Sequence, residues 1–413
     1  MSVDFTLTTD QLEAREATRR FAQDHLAGVE DLISGLETPE ERLLATRPVY
    51  EELVKAGFLQ GMIPERDGGT MGTLLDMVIT GEELSTGDVS VTCSLFSTGL
   101  GLYPIGIAGN DEQRHRFLTP FLVDSGTPMA SLAFSEAGGS ANFDEEGAGI
   151  RTTAHREGNE WVINGDKAFT TNGYGWHGEG PDLFTVACRI EDEPNRPISL
   201  IVVPRPTAGL SFGASLDTIG HRACLSPRVS FRDVRVPVEN LIGQPGDGPS
   251  ILDRTFAWSG VTVGAEALCI MDQALDTALE FAKTDRRNGS VPIIEHQNVG
   301  YMLTDIKMRL EACRYLVWKA AHAFDESAGT ALELPNIAKV FASETAVQVV
   351  YDAMRLVGVE SYATELPFGR LIQDALALPL YDGGNLGLRR RLLHSMMAAD
   401  GYDPRAGVEC HSA

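Results

Sequence analysis

The chain has 413 residues, 43% of them hydrophobic, so it can bury a large core and is long enough for about two or three domains. Asp and Glu total 58 against 34 Lys and Arg, a net charge of -24. That field repels a phosphate backbone and argues against nucleic-acid binding, and a strongly anionic substrate would need a local basic pocket.

The pattern predicts three regions, 1–127, 128–244 and 245–413. Met1-Ser2-Val3-Asp4 lacks a basic start followed by an apolar run, so no secretion signal is expected. Thr8 and Gln11 are spaced as a capping box, with Leu7 and Leu12 placed as a hydrophobic staple, and a helix through Phe21 and Ala22 follows. Further helices are predicted over 47–56, 74–84 and 112–122, with a turn at Gly68-Gly69. The longest uncharged stretch, 89–110, is rich in Gly, Ser and Thr and interrupted by Pro104, which fits a buried helix better than a membrane span. From Pro128 the pattern turns to short strands at 151–155, 161–163, 167–171, 183–188, 198–203, 228–232 and 234–236. Asn164-Gly165 reads as a two-residue hairpin turn. From Ser250 the chain is helical again. Ile306, Leu310, Cys313, Val317 and Ala320 form an amphipathic stripe, and Gly358 after Leu356-Val357 reads as a helix end. The six cysteines are scattered, with no CxxC pair and no zinc spacing, as expected of reduced thiols in a cytosolic protein.

Four segments carry candidate chemistry. The loop 132–142 is small and hydroxyl-rich, and could present N–H groups to phosphates or be an ordinary loop. In 161–173, Phe169 could pack on a planar ring with Thr171 bonding its edge, or be a core phenylalanine. Glu295-His296-Gln297 opens a long helix as ligand contacts or as a cap. Asp382 follows the apolar run 375–380 and precedes Gly383-Gly384, whose backbone can adopt φ > 0 and approach a ligand closely. A carboxylate in apolar surroundings has its charged form disfavoured, which makes it a better base. As a loop residue it would instead cap the next helix.

Together these segments resemble the acyl-CoA dehydrogenase superfamily of FAD enzymes over nearly the whole chain. The helix–β–helix order, Ser135-Glu136, Asn164-Gly165, Asp233-Val234-Arg235-Val236-Pro237 and Glu295-His296-Gln297 stand in the family's order. Tyr381-Asp382-Gly383 falls where common members carry Tyr-Glu-Gly, the glutamate being the α-proton base. Aspartate is one methylene shorter, which moves the carboxylate by about 1.5 Å. A misplacement of about 1 Å costs around a hundredfold in rate, so the aspartate implies a different substrate position or a different base. This is similar to the nitroalkane oxidase branch of the superfamily, and 8–15, 68–71 and 385–391 fit that branch too.

The resemblance implies an α+β fold: an N-terminal helical domain, a central β-barrel-like domain, and a C-terminal four-helix bundle that drives homotetramer formation, with FAD between the β domain and the bundle. It implies Asp382 as general base, Ser259 hydrogen-bonded to it and Arg389 positioning it. Phe169 and Thr171 would face the flavin, with Leu132, Ser135, Ser140 and Ala141 in the flavin loop. Arg287, His296 and Gln297 would reach FAD, partly from a neighbouring subunit. So would Tyr351 to Arg355, and Gly383 and Gly384 follow the base. Ala137 replaces the usual proline of the flavin loop, and Asp285 stands where an arginine is common, leaving Arg287 as the alternative contact. On residues alone Arg389-Arg390-Arg391 also reads as a solvated helix face, Ser259 as a small packing residue, and Asp253 as a rival acid. No metal site is implied. The implied reaction removes the α-proton of a primary or secondary nitroalkane, then yields nitrite, an aldehyde or ketone and, from O2, hydrogen peroxide. The competing readings are an acyl-CoA or acyl-carrier dehydrogenase with an aspartate base, a flavin monooxygenase fed by a reductase, and a scaffold with a degenerate flavin site. Intact Asp382, Thr171 and Gly383-Gly384 argue against the last.

Overall fold

The computed structural model describes residues 6–145 and 147–405. Its helices are α1 (Thr9–Phe21), α2 (Val29–Ile33), α3 (Pro39–Ala45), α4 (Arg47–Lys55), α5 (Leu74–Gly87), α6 (Val89–Ala108), α7 (Asp111–Leu118), α8 (Gly248–Thr284), α9 (Gln297–Glu326), α10 (Glu333–Val357), α11 (Phe368–Ala377) and α12 (Arg390–Ala398). Its strands are β1 (Ala130–Ala133), β2 (Thr153–Glu157), β3 (Glu160–Lys167), β4 (Leu183–Ile190), β5 (Ile198–Pro204), β6 (Leu210–Phe212), β7 (Val229–Pro237) and β8 (Leu241–Ile242). They form two compact units, one of residues 17–72 and 87–259, the other of residues up to 16, 73–86 and from 260 on. The division falls inside α8, between Ser259 and Gly260. Cys410 lies outside the described residues, and the other five cysteines are free thiols.

The first unit is built on one mixed sheet of order β6-β7-β3-β2-β4-β5-β8, with β1 added parallel to β4. Its core joins Trp161 and Ile163 of β3, Phe184 and Val186 of β4, Ile201 of β5 and Phe231 of β7. The apolar helix α6 packs against β1 and β4. Gly101 permits that contact, because a Cβ there would lie 2.6 Å from the Ser131 nitrogen, and its carbonyl accepts from Thr185 Oγ1 at 2.7 Å.

Two strand expectations are overturned. Asn164-Gly165 is not a turn. Strand β3 runs through it, and the two-residue hairpin loop is Gly158-Asn159, closed by the Glu157–Glu160 pair. At Asn164 the pairing with β7 slips by one residue, a β-bulge. The Asn164 amide donates to Asp233 Oδ1 at 3.1 Å, and its Oδ1 accepts from the Asp233 N–H at 2.9 Å. Gly165 is required because a Cβ there would meet Thr152 Oγ1 at 2.4 Å. Nor do residues 168–171 form a strand. Strand β3 ends at Lys167, and Phe169 takes a left-handed φ of 55°.

The second unit is helical. Thr8 and Gln11 make the expected reciprocal capping bonds at 3.0 and 3.2 Å, while Leu12 of the expected staple is half-exposed. The α9 stripe Ile306, Leu310, Cys313, Val317 and Ala320 is fully buried. Gly264 lets α8 approach it, since a Cβ there would lie 2.8 Å from Val317 Cγ2. Arg314 ties three helices together through Glu82 of α5, Asp272 of α8 and Glu311 of its own helix. Burial pushes the Glu82 carboxyl up to about 7 despite that pairing. Helix α10 ends at Val357 with Gly358 at positive φ, its N–H donating to the Met354 carbonyl.

Candidate active site

Asp382, Gly383 and Gly384 have φ of 52°, 85° and 55°, three consecutive left-handed residues leading into a π-helical turn, Gly384–Arg389. A non-glycine residue held there costs about 1–3 kcal/mol and persists only where its surroundings over-determine it. Arg389 does so. Its side chain is 0% exposed; Nε and Nη2 donate to the Asp382 carbonyl at 3.0 and 2.8 Å, and Nη2 also pairs with Asp382 Oδ2. Nη1 donates to Asn336 Oδ1 of α10 at 2.9 Å. Gly260 makes room for the guanidinium, because a Cβ there would stand 3.0 Å from Nη1.

These contacts change two sequence expectations. The Asp382 side chain is 4% exposed, but its partner is a buried cation rather than an apolar wall. Of the apolar run before it, Ala375 and Leu378 turn into the core while Leu376 and Leu380 face outward. The solvated-face reading holds for Arg390 and Arg391 only, since Arg389 turns inward. Ser259, the residue before Gly260 on α8, is buried and donates to the Phe256 carbonyl at 3.3 Å. Asp253 is half-buried on the same helix. Tyr381 donates its hydroxyl to the buried Glu266 carboxylate.

Sequence reasoning missed Lys339. It is fully buried on α10, with Nζ 3.0 Å from the Tyr381 carbonyl and 2.8 Å from Asn385 Oδ1. Loss of hydration, then the nearby Arg389 cation, pushes its ammonium down to about 7. The available signal was Asn336 and Lys339, polar residues one turn apart in a mostly apolar stretch.

In the sheet unit, β1 leads into the expected flavin loop. Leu132 is buried, and Ser135, Ser140 and Ala141 are part-buried. Glu136 anchors that loop. Its carboxylate accepts from Lys167 Nζ at 2.9 Å, Thr152 Oγ1 at 2.6 Å and the N–H groups of Arg151 and Thr152. Burial acts against the charged carboxylate, but Lys167 and these donors outweigh it and hold the Glu136 carboxyl below its usual range. Lys167→Met would strip a buried carboxylate of its counter-ion, a loss of about 3–5 kcal/mol. Thermal unfolding and flavin content should both fall in that variant.

The 169–172 segment is pinned by backbone bonds from Thr170 to Pro227 and Asn172 to Leu225, and by the Asn172 amide on Ser94 and Thr98 of α6. This leaves Phe169 58% exposed and Thr171 Oγ1 at 3.0 Å from Ser226 Oγ. Thr170 Oγ1 is buried without a partner. A presented aromatic face with hydroxyls beside it and a Gly-rich loop nearby suits a flavin ring and its phosphates in kind.

In the helical unit, Arg287 stacks 4.8 Å over Phe281 and donates to Glu360 at 2.5 Å and to the Val357 carbonyl. Its own N–H donates to Asp285 at 2.7 Å, so Asp285 and Arg287 pair with each other. His296, Gln297, Tyr351 and Arg355 are exposed, with Gln297 bonded to Tyr301 and Arg355 over the Tyr351 ring.

The acyl-CoA dehydrogenase N-terminal, middle and C-terminal domains match residues 8–124, 131–234 and 246–397. A nitroalkane oxidase of Podospora anserina is 40% identical, over 98% of each chain. One of Fusarium oxysporum is 38% identical, over 98% of this chain and 97% of its own. A solved nitroalkane oxidase structure, an aspartate-to-asparagine active-site mutant crystallised with 1-nitrooctane, superposes with a TM-score of 0.94 at 37% identity, over 98% of this chain and 99% of that one. Another structure of that flavoprotein concerns the roles of an arginine and an aspartate in its reaction, seven positions apart in its chain. With all three domains matched in order, the chain belongs to the acyl-CoA dehydrogenase family of FAD-dependent oxidoreductases, and its similarity within that family runs to the nitroalkane oxidases.

Proposed function

We propose that this chain oxidises primary or secondary nitroalkanes, with Asp382 as the general base. The observation that carries the reading is the Asp382–Arg389 pair on a left-handed loop, seven residues apart like the aspartate and arginine of the related flavoprotein. A nitro group acidifies its α C–H, so a carboxylate held in place by a buried guanidinium can take that proton. Arg389 fixes Oδ2 and the Asp382 carbonyl together, which sets the direction of the carboxylate. FAD, held by Phe169, Thr171 and the 135–141 loop, would supply the two-electron acceptor for the ionised substrate, with O2 as the final oxidant. One nitroalkane, one water and one O2 then give one aldehyde or ketone, one nitrous acid and one hydrogen peroxide. Homotetramer formation goes with this reading. It is supported by Tyr301, Met308 and Tyr315, exposed at seven-residue spacing on α9, and by the exposed Tyr351 of α10. A cytosolic setting is supported by the five free thiols.

The test is anaerobic mixing of the yellow holoprotein with nitroethane and, separately, with butyryl-CoA. Bleaching by nitroethane alone, with nitrite detected after air is admitted, is the expected result. Bleaching by butyryl-CoA alone would replace this reading with the dehydrogenase, which shares the proton abstraction but transfers a β-hydride.

A further inference from the structure

The loop that carries Asp382 is gripped from a second side by a side chain without a role in the chemistry above. Lys339 holds the Tyr381 carbonyl, on the N-terminal side of the left-handed run, and Asn385 Oδ1, on its C-terminal side. The Asn385 amide passes the grip on to Ser343 Oγ at 3.0 Å and Glu344 Oε1 at 3.1 Å. One turn before Lys339, Asn336 holds Arg389, which holds Asp382 itself. One stretch of α10 thus fixes both ends of the loop and its centre. The charged groups acting on the amine are Arg389, which opposes its protonation, and Asp382 and Glu344, which favour it. A buried amine is costly unless its bonds compensate, and methionine would fill a similar volume without that cost. A lysine at that place, spanning the loop, makes bonds that packing alone does not require.

We propose that Lys339 is a positioning residue for the general base: by gripping Tyr381 and Asn385 it clamps the left-handed run 382–384 between them, so that the Asp382 carboxylate meets the substrate C–H at one fixed distance. This rests on Asp382 being the base. The test uses Lys339→Met as the holoenzyme, with Lys339→Gln, which keeps N–H donors, as the conservative variant. Amide exchange of the 379–389 segment is expected to quicken in the methionine variant. Its kcat/KM on neutral nitroethane should fall by roughly ten- to a hundredfold. Preformed ethyl nitronate has already lost the proton and should react as in the wild type, and the glutamine variant should recover part of the lost rate.

Unchanged exchange together with an unchanged nitroethane rate would overturn the clamp. So would an equal fall on nitroethane and nitronate, which marks a general loss of structure. A wild type that reduces its flavin with neither compound would sink the proposed function instead, and the exchange measurement would still decide the clamp.

Discussion

Asp382→Asn is expected to slow flavin reduction by neutral nitroethane by roughly 10²- to 10⁴-fold, the range that a positioned general base contributes. The amide keeps the shape of the carboxylate and can still accept from Arg389, so the loop should keep its path and the flavin stay bound, although the buried guanidinium loses its counter-charge and stability falls. What it loses is the ability to take a proton. The same variant, given ethyl nitronate, should therefore reduce its flavin at close to the wild-type rate, because that substrate arrives without the α-proton. Stopped-flow bleaching with the two forms of one substrate separates the base from every other contribution of the site. A variant that remains fast on the neutral form would remove Asp382 from the chemistry. One that slows equally on both forms would point to a misplaced flavin.

How far the sequence could be read depended on whether a signal was local. The α9 stripe from Ile306 to Ala320 was legible because helical periodicity puts those side chains on one face whatever they meet, and all are buried. The Thr8–Gln11 capping box was legible because both partners lie within one turn. Asn164-Gly165 was misread because the same dipeptide serves a tight turn and a bulge. What decides between them is Asp233 and Thr152, which are distant in sequence. The same limit applied at the site. Asp382 stood out by its neighbours Gly383 and Gly384, but its setting did not. The apolar run beside it suggested a dry pocket but not the ion pair, which is made by Arg389, one of three consecutive arginines that look alike in sequence. The π-helical turn from Gly384 to Arg389 shifts the helical phase and turns Arg389 inward while Arg390 and Arg391 face out. The role of Lys339 was not legible for a similar reason: its partners are a backbone carbonyl and an asparagine about forty residues away.

Arg389→Met is expected to be the most destabilising substitution in this region. The guanidinium makes bonds to the Asp382 carbonyl, the Asp382 carboxylate and Asn336, all from a fully buried position. Methionine fills part of the space and satisfies none of them. Removing one partner of a buried ion pair costs about 3–5 kcal/mol, mostly because the remaining charge has lost its compensation. The loop loses an anchor as well, since Arg389 also holds the carbonyl of Asp382, whose φ is a left-handed 52°. Adding Asp382→Asn to Arg389→Met removes the stranded charge, so the double variant should be more stable than the Arg389→Met single variant although it carries one more substitution. Thermal unfolding of the four holoproteins at one FAD concentration closes the cycle. The coupling should be large, because the two residues share one buried contact. Simple additivity would mean that the pair is not a unit, and that Arg389 holds the loop through its backbone bonds alone.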